Sequence, residues 1–155
     1  MPVVVIQSAE FGIYLRMDAR EVTSKADDGS GTVNCQYQIA PWEIFEISAA
    51  DDDGAVTIAS VSFPDVYLRM DAHGAPPFAS DSGGGTVNCQ YGVGEWAKFR
   101  LEEQADGTFL IGSAAFPGAY LRIDGRGVDE AEPHGGIVSC TYSPGGWERV
   151  RLIPQ

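Results

Sequence analysis

Three tryptophans, Trp42, Trp96 and Trp147, each stand seven residues after a cysteine, Cys35, Cys89 and Cys140. An indole set beside an acidic side chain is suited to sugar recognition. The ring stacks on the apolar C–H face of a pyranose, and the carboxylate accepts hydrogen bonds from two hydroxyls. Glu43 and Glu148 directly follow their tryptophans; in the middle copy Ala97 takes that place and Glu95 precedes Trp96 instead. Strand parity bears on whether these rings are reachable. Phe45 and Ile47 take the core face after Trp42, so Trp42 has the opposite parity. Trp96 is likewise out of phase with Phe99 and Leu101, and Trp147 with Val150 and Leu152. Turn-formers precede each ring: Ala40-Pro41, Gly94-Glu95 and Gly145-Gly146. If the register reaches that far, three indoles are presented outward as binding platforms; a core role is the competing reading.

Other residue types that carry chemistry point to less. In Val33-Asn34-Cys35-Gln36-Tyr37 the residues Val33, Cys35 and Tyr37 share one face, which puts the cysteines on the apolar side. Three symmetric thiols suit a soft metal in principle, but zinc and iron–sulfur sites bring paired Cys or nearby His, and that spacing is missing. They read as small buried hydrophobes, with no metal and no cofactor implied. Arg16, Arg69 and Arg122 each lie two residues before Asp18, Asp71 or Asp124 on the same face. An ion pair or turn-bracing carboxylate is one reading of these, and a polar rim around a ligand pocket repeated three times is the other. His73 and His134 fall in loops at unmatched positions, without a repeated Ser, His and Asp arrangement, so no catalytic residue is assigned. Asp51-Asp52-Asp53-Gly54 lacks the spaced ligands and distal Glu of an EF-hand loop and, like Asp106-Gly107, reads as a hairpin turn.

The elements that must position these residues come in three copies. Tyr14-Leu15-Arg16-Met17-Asp18 recurs as Tyr67-Leu68-Arg69-Met70-Asp71 and as Tyr120-Leu121-Arg122-Ile123-Asp124, with a spacing of 53 residues both times. Thr32-Val33-Asn34-Cys35-Gln36-Tyr37 recurs as Thr86-Val87-Asn88-Cys89-Gln90-Tyr91 and, more loosely, as Ile137-Val138-Ser139-Cys140-Thr141-Tyr142. Each unit reads as four strands; in the second they run from Val56 to Val61, Val66 to Asp71, Thr86 to Tyr91 and Lys98 to Glu102. Asp53-Gly54, Phe63-Pro64-Asp65 and the run Ser82 to Gly85 separate them. A four-strand unit of this size cannot bury its apolar face alone, so the copies must share a core and close a ring. The expectation is an all-β protein, a β-trefoil of twelve strands in one domain over 1–155. Its repeats run over about 1–50, 51–104 and 105–155. A propeller typically needs at least four blades.

Composition narrows the partners. The 155 residues carry 22 acidic and 10 basic side chains, a net charge of −12. Nucleic acid and other polyanions need clustered Lys and Arg, and so does a basic membrane-binding patch. No apolar stretch approaches the roughly 18 residues of a membrane span, and no signal peptide is visible at the start.

The combination Tyr-Leu-Arg-Met-Asp, Gly-Thr-Val-Asn-Cys-Gln-Tyr and Trp-Glu-x-Phe resembles the fascin-like β-trefoils, and more closely the bacterial carbohydrate-binding modules of family ninety-two. That resemblance implies a non-catalytic module whose repeats can each carry a sugar site, with β-1,3- and β-1,6-linked glucans among the ligands. The implied sites centre on Trp42 with Glu43, Trp96 with Glu95, and Trp147 with Glu148. The departure at Ala97 weakens the middle one. The expected partner is a polysaccharide or oligosaccharide bound by a monomer at up to three sites, outside the cell if glycan is the ligand. Fascins bundle actin filaments, which makes an actin-binding protein the competing expectation. Actin is itself acidic, so a charge of −12 opposes that association.

Overall fold

The computed structural model describes residues 2–76 and 83–155. Its strands, in chain order, are β1 (Val3–Ser8), β2 (Tyr14–Asp18), β3 (Thr32–Gln36), β4 (Ile44–Ala49), β5 (Val56–Ser60), β6 (Val66–Asp71) and β7 (Thr86–Tyr91). They continue as β8 (Phe99–Glu103), β9 (Phe109–Ser113), β10 (Tyr120–Asp124), β11 (His134–Gly135), β12 (Ile137–Thr141) and β13 (Val150–Pro154). The four strands expected for the second unit are all present, with β5 one residue shorter at its end and β8 shifted one residue along the chain at both ends. The turn expected over Ser82 to Gly85 begins outside the described residues, at Ser82.

Antiparallel pairing runs β1 to β4, β4 to β5, β5 to β8, β8 to β9, β9 to β13 and back from β13 to β1. Those six strands form a closed barrel, and the last pairing joins the two ends of the chain over Val4–Ser8. Closure leaves the barrel no sheet edge. The hairpins β2–β3, β6–β7 and β10–β12 supply the remaining half of each unit. This is the β-trefoil.

Alternation explains which residues build the core. Along β2 and β6, Leu15, Met17, Leu68 and Met70 are fully buried while the intervening Tyr, Arg and Asp are only partly so. Leu121 and Ile123 are fully buried at the matched places in β10, where Arg122 and Asp124 are buried as well, and Phe45, Phe99 and Val150 fill the barrel at matched positions. Each such side chain contributes roughly 1.5–3 kcal/mol through burial. Tight turns hold the strands in register. In three matched Ser-x-x-Phe turns the backbone N–H of Phe11, Phe63 and Phe116 donates to the hydroxyl of Ser8, Ser60 and Ser113.

The hairpins are joined in a cycle. Gly31, Gly85 and Gly136 lie against the thiols of Cys89, Cys140 and Cys35 respectively, so each unit locks against the next and the third locks against the first. The Cys35 and Cys140 thiols point to the backbone oxygens of Asp124 and Asp71, at 4.0 and 3.9 Å. The strand beyond the expected twelve belongs to this seam. His134–Gly135 pairs with Gln36 and Cys35, where the other units make the single bridges Ser30–Cys89 and Gly84–Cys140. One extra residue pair makes the third bridge long enough to be a strand.

Candidate functional site

Each tryptophan sits on a short 3-10 turn that leads into a barrel strand: Pro41–Glu43, Glu95–Ala97 and Gly146–Glu148. Pro41 suits the first turn of the first of these, because its missing N–H would find no partner there. The turns break the strand before the ring is reached, so strand parity does not decide its fate. All three indoles are half-buried, between the outward and the core reading.

What covers the rings is the same in each copy. Trp42 packs on Phe63, Trp96 on Phe116 and Trp147 on Phe11, with ring centres 5.4, 5.5 and 5.2 Å apart. Every tryptophan thus leans on the phenylalanine of the following unit, and the third leans on the first. Guanidinium groups lie over the indoles as well. Arg16 and Arg20 stand 4.9 Å from the Trp42 ring centre, Arg69 stands 4.7 Å from that of Trp96, and Arg122 and Arg126 stand 4.6 and 4.8 Å from that of Trp147. At such distances the cation is attracted to the ring face. Five of the eight arginines in a chain of net charge −12 are gathered on three side chains.

The expected pairing of Arg16 with Asp18 is replaced by two other contacts. Arg16 and Arg69 donate across the hairpin to Asn34 and Asn88 Oδ1, at 3.2 and 3.1 Å. Asp18 instead takes Arg20 Nε and Nη2 at 3.0 and 2.8 Å, and Asp124 takes Arg126 in the same two-pronged way at the same distances. Those donors hold both carboxyls below the usual aspartate range. In the middle unit His73 Nδ1 lies 2.7 Å from Asp71 Oδ1. His73 is therefore the counterpart of Arg20 and Arg126, contrary to its reading as a residue at an unmatched position. A spacing of 53 residues links all three.

The glutamates are placed differently from the sequence expectation. Glu43 is 0% exposed and Glu148 is 4% exposed. Each reaches back to accept the backbone N–H that precedes its own turn, Ala40 at 2.7 Å for Glu43 and Gly145 for Glu148. Burial raises both carboxyls above their ordinary range, against the hydrogen bond and the facing Arg16 or Arg122. They brace the turns through these bonds to the backbone. Glu43 Oε2 is buried and finds no hydrogen-bond partner among the described residues. Ala97 occupies the matching place in the middle unit, also at 0% exposure, while Glu95 is exposed and pairs with Lys98 at 3.1 Å.

Each copy thus offers part of an indole face, guanidinium or imidazole N–H groups and an aspartate. Beside the Asp18–Arg20 pair opens a cleft of about 400 Å³ lined also by Glu21, Gly31 and Thr32. Ligand-sized pockets begin at about 300 Å³. Among the described residues no three His, Cys, Asp or Glu side chains converge as a metal-binding set.

No protein-family model and no curated protein sequence matches the chain. Solved structures do. The chain is similar to the designed three-fold symmetric protein ThreeFoil, at TM-score 0.67 and 20% identity over 97% of both chains. SeviL bound to asialo-GM1 saccharide is similar at TM-score 0.68 and 15% identity, over 99% of this chain and 97% of that one. The BEL β-trefoil is similar at TM-score 0.63 and 13% identity, over 99% and 93%. At these identities the likeness establishes the fold, and the fold is the β-trefoil.

Proposed function

We propose that this chain is a non-catalytic, monomeric carbohydrate-binding module that engages polysaccharide, with β-glucan as the ligand class, through repeat-related sites on Trp42, Trp96 and Trp147. The observation that carries this reading is the threefold recurrence of one cluster. A half-exposed indole, an arginine over its face and an aspartate-held donor beside it stand at matched positions in all three units. The indole supplies apolar area for a sugar face, and the polar groups around it match hydroxyls. Support also comes from SeviL, a similar structure bound to a saccharide, and from the sequence resemblance to family ninety-two.

In this reading the glutamates divide their roles. Glu43 and Glu148 fix the angle of the indole through the turn, and Glu95 stands at the open edge of the middle site. Single sugar sites are weak, and three on one rigid body gain avidity of roughly 10² or more on a polymer that spans them. A pull-down against a panel of insoluble polysaccharides, with actin filaments as a control lane, tests the proposal. Retention on glucan supports it, and retention on actin alone overturns it.

A further inference from the structure

Among the matched positions at which the three clusters differ, one on the open side of the tryptophans is occupied by Arg20, His73 and Arg126. The backbone N–H of each donates to the aspartate two residues earlier, at 3.3, 3.0 and 3.1 Å, so the three side chains start from equivalent places. Their outer atoms are chemically unlike. A guanidinium carries N–H donors only and keeps them at every ordinary pH. An imidazole does not. Asp71 holds the ring through Nδ1, and an ionised carboxylate only accepts, so Nδ1 carries the hydrogen. In the neutral ring Nε2 is then a lone pair, and protonation turns it into a donor.

His73 is placed to use that change. Its side chain is 72% exposed, and its ring meets Trp96 and Phe116 edge-on with centres 5.7 and 5.1 Å away. Among the described residues, the charged groups on the elements that touch it are few. Asp71 and Arg69 lie on β6, the strand that leads into its turn, and Glu95 and Lys98, paired with each other, lie beside Trp96. The turn that carries Phe116 has none between 114 and 119. Burial of Asp71 works to raise its carboxyl, and the contacts from His73 together with the charge of Arg69 outweigh this and hold it low. Histidine is the side chain whose charge ordinarily changes between about pH 5 and 8.

We propose that His73 is the specificity-determining residue of the middle site. A saccharide oxygen that can only accept, as in a sulfate ester or uronate, is held beside Trp96 when the imidazole is protonated and released when it is neutral. The Arg20 and Arg126 sites hold the same group in both conditions. A sugar hydroxyl both donates and accepts, so a neutral glucan feels the change far less. The number of sites open to an acidic saccharide thus depends on pH. This inference rests on the glycan reading above and adds the ligand class of one site.

Calorimetry on the whole protein and on His73→Arg tests it, using a β-1,3-glucan trisaccharide and its sulfated form at about pH 5 and about pH 8. For the sulfated sugar the wild type is expected to bind three equivalents in acid and two near pH 8, with the middle site weakened about tenfold or more. His73→Arg is expected to bind three at both. Imidazole signals in NMR, from only two histidines, must show the Nδ1–H tautomer for His73 in the neutral ring. An unchanged stoichiometry in the wild type, or a shift that persists in His73→Arg, overturns the role of His73 while the neutral sugar still binds. No binding of either sugar by either protein overturns the glycan reading, and this inference with it.

Discussion

A side-chain carbon placed on Gly31 would stand 2.7 Å from the Sγ of Cys89 in the next unit. No real Cβ contact is that short, and the φ of +74° at Gly31 already disfavours any other residue. Gly31→Ala is therefore expected to cost about 2–4 kcal/mol, from left-handed strain and overpacking together. Gly54, at φ +93° with open space around it, isolates the backbone part, and Gly54→Ala is expected to cost about 1 kcal/mol. Denaturant unfolding of the two variants measures the difference. Equal costs would show that the inter-unit contact is soft.

The cysteines at that seam are expected to be inert in the native protein. Burial pushes the Cys35, Cys89 and Cys140 thiols up to about 12, and the thiolate is the reactive form. A thiol reagent at pH 8 should label none of them on the time scale of mixing and all three after unfolding. Fast labelling of one in the folded state would place that cysteine outside the core.

Glu43 sets an unusual pH dependence of stability. Its carboxyl is raised by burial, so its contribution is complete below the ordinary glutamate value of about 4.3 and is lost as pH climbs through the raised one. Asp18 and Asp124 run the other way: their carboxyls are lowered by arginine, and their contribution disappears as pH falls through the lowered values. Stability should therefore peak in mild acid. Glu43→Gln keeps an acceptor for the Ala40 N–H and removes the charge, so it should gain on the wild type at about pH 8 and match it at about pH 4. Thermal melts at the two pH values decide this, and an equal loss at both would contradict it.

Much of the architecture was legible because repetition is visible without knowing any contact. The strands around Leu15, Leu68 and Leu121 announce themselves by alternation, and three units that cannot stand alone imply a ring. The site was legible in its anchors and not in its surroundings. Trp42 could be singled out by spacing, yet its 3-10 turn removed the parity argument, and its neighbours come from another unit of the chain. Phe11, Phe63 and Phe116 recur with nearly the repeat spacing inside Ser-x-x-Phe turns, a signal available in the sequence once turns and not strands are aligned. His73 was hidden because its residue type changed while its position did not. Glu43 looked like a ligand because a carboxylate beside an indole has two possible directions, and only the fold chooses the inward one.

The tryptophans carry the central claim, and Trp42→Ala with Trp147→Ala addresses it. Both rings are half-buried, so the double variant should remain folded with a loss smaller than the roughly 3–5 kcal/mol of a core truncation at each site. The measurement is retention on insoluble β-glucan, with the circular dichroism spectrum as the control for folding. The wild type should be held, and retention of the folded double variant should fall by at least about tenfold as avidity is lost. Retention equal to the wild type by a folded double variant would contradict it.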